Sequence, residues 1–164
     1  MAYEDENDYE KEEEAAERPE RPAPPPRPIR DPQPPRNGWW WGTGRRKSAI
    51  AAVRVKKGKG VVQINGRDVK DFFRVHRDLE NALAPLRITE RLKNYDLAAR
   101  TRGGGTTGQA GAICLAIARA LLKVEPALEP AMREHRFLTR DPRMKERKKY
   151  GQRSARARYQ YSKR

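Results

Sequence analysis

One cysteine, two histidines and few apolar residues set the outer limits of this chain. Cys114 alone cannot form an intramolecular disulfide, and no group of thiols exists to cage a metal. His76 and His135 have no partners at metal-ligand spacing, so neither metal nor other cofactor is assigned. Hydrophobic residues make up 36% of the 164 residues, so the core must be small; the length suits one compact domain with extensions. No apolar run approaches the roughly 20 residues of a membrane span. The N-terminus has neither the apolar stretch of a secretory signal nor the Arg-rich, acid-poor character of a transit peptide. These absences lead us to expect a soluble intracellular protein. No paired carboxylates and no nucleophile–base set stand out, so no catalytic residue is assigned and no enzyme is expected.

Acids are scarce as well, except at one end. Residues 1–20 hold ten acids against Lys11 and Arg18, whereas the remainder carries 35 bases and 12 acids, a net +23. So basic a body expects phosphate-rich company, and nucleic acid is the commonest kind. The bases concentrate in the last stretch, Thr139 to Arg164, with eleven Lys or Arg against Asp141 and Glu146. This stretch has almost no aliphatic surface to bury and cannot offset the entropy of ordering itself, so it needs a polyanion. Its candidate phosphate contacts are Arg140, Arg143, Arg147, Lys148, Lys149, Arg153, Arg156 and Arg158. Arg makes forked contacts to phosphate, and Tyr150, Tyr159 and Tyr161 interleave as stacking platforms for bases.

Between these ends the patterning divides the chain at 1–38, 39–138 and 139–164. Residues 1–38 pass from an acidic run into a Pro/Arg-rich run and read as a disordered extension. Trp39, Trp40 and Trp41 either cover the edge of the core or stack on bases, with Trp39 and Trp40 the stacking candidates. Arg45, Arg46 and Lys47 follow; with Lys56, Lys57, Lys59, Arg100 and Arg102 they are the body's candidate contacts to folded RNA, read mainly by shape and phosphate. Ala49, Ala51, Val53 and Val55 alternate with Ile50, Ala52, Arg54 and Lys56, the period of a strand with one buried face. Lys56, Lys57 and Lys59 lie on or beside a KKGKG turn, and Val61 to Ile64 reads as the return strand of a hairpin. Asn65-Gly66 signals a tight turn, and Asp68 a cap for a short helical piece through Phe73. A helix is expected from about Arg77 to Ala84, ended or kinked at Pro85. Tyr95, Leu97, Ala99 and Thr101 mark another strand, with Arg100 and Arg102 outward. A helix carrying Ala110, Ile113, Cys114, Ile117, Ala118 and Leu121 on its buried stripe follows, capped by Thr106 and Gln109. Residues 127–136 read as a last amphipathic helix. Asp141-Pro142 would open one or two helical turns in the tail, closed at Gly151.

Gly103-Gly104-Gly105-Thr106-Thr107-Gly108 fits the dinucleotide fingerprint, after a strand and before a helix. The second parallel strand that such a unit requires is missing: Glu125 falls where the helix ends, next to Pro126. What remains is a tight turn, or a helix N-terminus whose free amides attract an RNA phosphate, with Gly103, Gly104 and Gly105 as the contacts. Charge and tail alone fit a free nucleic-acid chaperone equally well.

The segments GTGRRKSAIAAVRV, GGGTTGQAGAICLAIARAL and FLTRDPRMKERKKYG, with the terminal YSKR, occur in that order. Together, over residues 42–164, they resemble the universal small-subunit ribosomal protein family numbered nine, in its bacterial type. The resemblance implies an α+β body, a small mixed β-sheet with helices packed on it, similar to the second domain of small-subunit ribosomal protein number five. It implies a long basic C-terminal tail, and binding to small-subunit ribosomal RNA (rRNA) of the head beside neighbouring ribosomal proteins. Ser162, Lys163 and Arg164 would reach the P-site transfer RNA (tRNA). Neither a membrane nor a homo-oligomer belongs to that picture, and the location would be the cytoplasmic, bacterial ribosome rather than an organellar one.

Overall fold

The computed structural model describes residues 31–163; the expectations placed on residues 1–30 and on Arg164 lie outside the described residues. Five strands form one mixed sheet: β1 (Trp40–Arg46), β2 (Ala49–Lys57), β3 (Val62–Ile64), β4 (Arg67–Asp68) and β5 (Tyr95–Arg102). Their spatial order is β1-β2-β5-β3-β4. All neighbours are antiparallel except β3 and β5, which run parallel. The helices are α1 (Val69–Phe72), α2 (His76–Ile88), α3 (Thr106–Val124) and α4 (Glu129–Glu134), the last entered through a 3-10 turn at Pro126–Leu128. The α+β class expected from the sequence is the one observed.

The core lies between one face of the sheet and α3. Ala49, Ala51, Val53 and Val55 of β2 are fully buried there, with Leu97 and Ala99 of β5 beside them. Nearly the whole circumference of α3 is buried, because the sheet covers one side and α2 the other. By length and composition alone α3 would qualify as a membrane span, which amends the expectation that no run approaches one. Here that apolarity serves the core. β1 was not legible as a strand, because Gly42 and Gly44 suggest a turn. Packing explains them: a Cβ at Gly42 would overlap the Ala116 carbonyl, and one at Gly44 the Ala112 carbonyl. Their absence lets β1 lie directly on the small-residue side of α3.

Three local expectations are corrected. Val61–Ile64 does not return against β2; β3 pairs with β5 and, through the Asn65-Gly66 turn, with β4. The chain crosses the end of β5 because the Asp96 carboxylate gathers the loop, accepting from the N–H groups of Lys59, Gly60 and Val61 at 2.9, 3.0 and 2.9 Å. Pro85 does not end α2, which continues to Ile88. It is buried with Ala82, Leu83 and Leu86, and the residue whose carbonyl loses its partner, Asn81, is exposed to solvent. No helix follows Asp141-Pro142. The Asp141 carboxylate is taken by Arg143, whose backbone N–H donates at 3.1 Å and whose Nε donates at 2.9 Å. Closely spaced Lys145, Arg147, Lys148 and Lys149 would also repel one another on a helix.

Candidate nucleic-acid interface

Among the described residues no helix covers the sheet face opposite the core. Cross-strand register assigns its rows: Arg45–Ile50–Arg102, Thr43–Ala52–Arg100, Trp41–Arg54–Ala98–Gln63, and Lys56–Asp96. Ala52 and Ala98 form a low floor, and Arg45, Arg54, Lys56, Arg100 and Arg102 stand exposed around it. The acids on this face are Asp96, already occupied by three N–H donors, and Asp68 at the β4 edge. Donation from Val61, then from Lys59 and Gly60, holds the Asp96 carboxyl below the usual carboxylate range. The result is a shallow cationic shelf. Such a shape suits a phosphate backbone.

Arg54 was not among the sequence candidates; its alternation with Lys56 was the signal that could have found it. Trp39 lies under Arg54, whose Cζ is 4.9 Å from the ring centroid, and near the Lys56 Nζ at 5.9 Å. Trp40 is half-buried, and its indole N–H donates to the Gln33 carbonyl at 2.8 Å. The most exposed ring of the three belongs to Trp41, which is 44% accessible.

Arg46 points away from this shelf. Its guanidinium donates to the Thr107 carbonyl and to Asp141, both at 3.3 Å. The Thr107 hydroxyl in turn donates to buried Asp78 at 3.1 Å. One polar chain thus ties the start of the tail, β1, the first turn of α3 and α2 together. Lys47 sits at the β1–β2 turn with φ 51°, while Lys57 and Lys59 are exposed at the far end, on and beyond β2.

The glycine loop has a structural explanation of its own. Gly103 and Gly104 adopt φ 71° and 64°, and a Cβ at Gly104 would press on Ala49 at 3.0 Å. Gly105, the N-cap of α3, has φ −102° and open space around it. The capping box is not formed: Thr106 is already helical, and the Gln109 amide donates to the Gly103 carbonyl at 3.1 Å. In the first turn of α3, Thr106 is exposed, Thr107 is half-buried and Gly108 is buried.

After Glu134 the described chain has no helix or strand. Arg143 pairs with Asp141, while Lys149 and Arg156 both pair with Glu146. Arg140, Lys145, Arg147, Lys148, Arg153, Arg158 and Lys163 have no ion pair among the described residues. Tyr150, Tyr159 and Tyr161 are exposed, as is Ser162. Tail and shelf thus present the expected bases outward, apart from Arg46 and the three paired within the tail. The family model for ribosomal protein S9/S16 matches residues 44–164, which cover β1 from Gly44 onward, every later element and the tail, and on that match this chain belongs to the ribosomal protein S9/S16 family.

Proposed function

We propose that this small-subunit ribosomal protein binds rRNA in the head of the small subunit through the uncovered sheet face, with its tail running on to the P-site tRNA. Family membership makes it a structural, non-enzymatic component of the ribosome acting in translation, in the company of rRNA and other ribosomal proteins. The observation that carries the finer reading is the shelf: Arg45, Arg54, Lys56, Arg100 and Arg102 around a floor of Ala52 and Ala98, with no helix among the described residues covering it. RNA is recognised on such a surface by shape and phosphate. The tail bases that lack an acid partner continue the same chemistry, and exposed Tyr150, Tyr159 and Tyr161 offer rings for stacking. Lys163 and Arg164, beside Ser162, supply cations suited to a tRNA backbone.

The test of the tail's destination is filter binding of tRNA to small subunits that carry protein shortened by Ser162 to Arg164. Assembly is expected to be intact. P-site affinity should fall by about tenfold, the worth of one or two charge-assisted contacts of roughly 1–3 kcal/mol diluted by the other contacts of the site. Equal affinity across a salt series would remove the tRNA from the proposal.

A further inference from the structure

The free edge of the sheet, along β1, carries a second pattern. Antiparallel pairing turns the backbone groups of alternate residues to opposite sides. Trp41, Thr43 and Arg45 turn theirs outward, since β1 has β2 on one side and, among the described residues, no strand on the other. Two of the outward carbonyls are taken. Lys123 Nζ donates to the Trp41 carbonyl at 2.7 Å, and Arg119 Nη1 to the Thr43 carbonyl at 2.9 Å. No partner is present for the outward N–H groups of Trp41, Thr43 and Arg45 among the described residues. An ordinary sheet edge offers donors and acceptors in alternation and templates another strand. From Trp41 to Thr43 this one offers donors only, two residues or about 6.8 Å apart, with two cations held over the sites where an incoming strand would place its own N–H groups, and the Arg45 carbonyl is the one outward acceptor left among the described residues.

The edge forms one wall of a groove of about 450 Å³ lined also by Leu122, Pro126 and Leu138. Its charges are Arg119, Lys123 and Arg133 against Asp31 and Glu129, and Glu129 is bonded to Arg133. Beyond Thr43 the edge runs on to Arg45, which borders the neighbouring cavity together with Arg136. We infer that the β1 edge and this groove form a second RNA contact, separate from the shelf, in which an extended sugar–phosphate strand accepts from the Trp41, Thr43 and Arg45 amides while Arg119 and Lys123 face its phosphates. A phosphate strand brings acceptors and negative charge, the two things that the edge lacks from Trp41 to Thr43. A protein strand would bring N–H groups to carbonyls already occupied. This inference rests on the rRNA-binding reading above.

A contact-range probe separates the two surfaces. A photoreactive benzoylphenylalanine placed at Leu122, in the groove, and another at Arg100, on the shelf, are each introduced into the full-length protein and assembled into small subunits. A third at Leu138 replaces the Leu122 probe if that variant does not assemble. The groove probe is expected to crosslink to rRNA, giving a slow-migrating product that ribonuclease abolishes. Crosslinking from the groove only to protein, whether a neighbour or the acidic residues 1–20 of the same chain, would overturn the inference. So would the absence of an rRNA product from subunits that contain the probe. Should Arg100 crosslink to rRNA while the groove does not, the edge inference alone falls; should Arg100 fail as well, the shelf reading falls with it.

Discussion

Asp96 and Tyr95, neighbours on β5, show how single side chains hold the crossing of the chain in place. The Asp96 carboxylate is stabilised as an anion by the loop amides of Val61, Lys59 and Gly60. Its folded value lies below the unfolded one of about 4. The stability it contributes is therefore present above that pH and lost as pH falls through the lower folded value. Glu80 and Asp141, held down chiefly by Arg87 and Arg143, act in the same direction. A difference measurement isolates Asp96: Asp96→Ala should lower Tm at pH 7, and its deficit should shrink toward pH 2. A deficit independent of pH would mean that the carboxylate charge is not what gathers the loop. Tyr95 behaves oppositely. Burial, and donation of its hydroxyl to Glu125 Oε1 at 2.5 Å, push it up to about 12. The neutral phenol is favoured in the fold, so stability is full below about 10 and is lost as pH rises through 12. In an absorbance titration one tyrosine should ionise late, and Tyr95→Phe should abolish that late step.

At the scale of elements, close approach governs the joining of β1, α3 and the glycine loop. Gly44→Ala should destabilise by about 1–3 kcal/mol, since its methyl group overlaps the Ala112 carbonyl and neither backbone can withdraw alone. Gly105→Ser should leave Tm unchanged or slightly raised, because φ is negative, the space is open and Ser is a good N-cap. Denaturant unfolding of both variants checks the pair. Loss of rRNA affinity in well-folded Gly105→Ser would show that the bare backbone matters to RNA as well. Periodicity made β2, β5 and α3 legible, because each buries a stripe at its own period. It could not reveal β1, whose inner positions are glycines chosen by what lies across from them. Nor could it reveal the β3 pairing, which Asp96 decides from more than thirty residues away. Pro85 misled for a related reason: burial of Leu83 and Leu86 on either side holds the helix through it.

Over the whole molecule, charge is sorted. Apolar and small residues fill one side of the sheet, cations cover the other, and the bases of the tail carry the same sign onward. That sorting was largely legible, since alternation places Lys56, Arg100 and Arg102 outward from the sequence alone. Arg46 was misread, because its inward turn depends on Asp141 and Thr107, 95 and 61 residues away. The central claim is that the open sheet face is an rRNA surface. It is tested most directly by measuring affinity of the full-length protein for small-subunit rRNA across a salt series. The comparison is a variant in which Arg54, Lys56, Arg100 and Arg102 are all changed to Gln. These positions are exposed, so folding should be kept. Every cation–phosphate pairing that the variant can no longer make should lower the slope of log affinity against log salt by about 0.7–0.9, and the variant should bind at least tenfold more weakly at moderate salt. An unchanged slope and affinity in a folded variant would contradict the assignment of that face to rRNA.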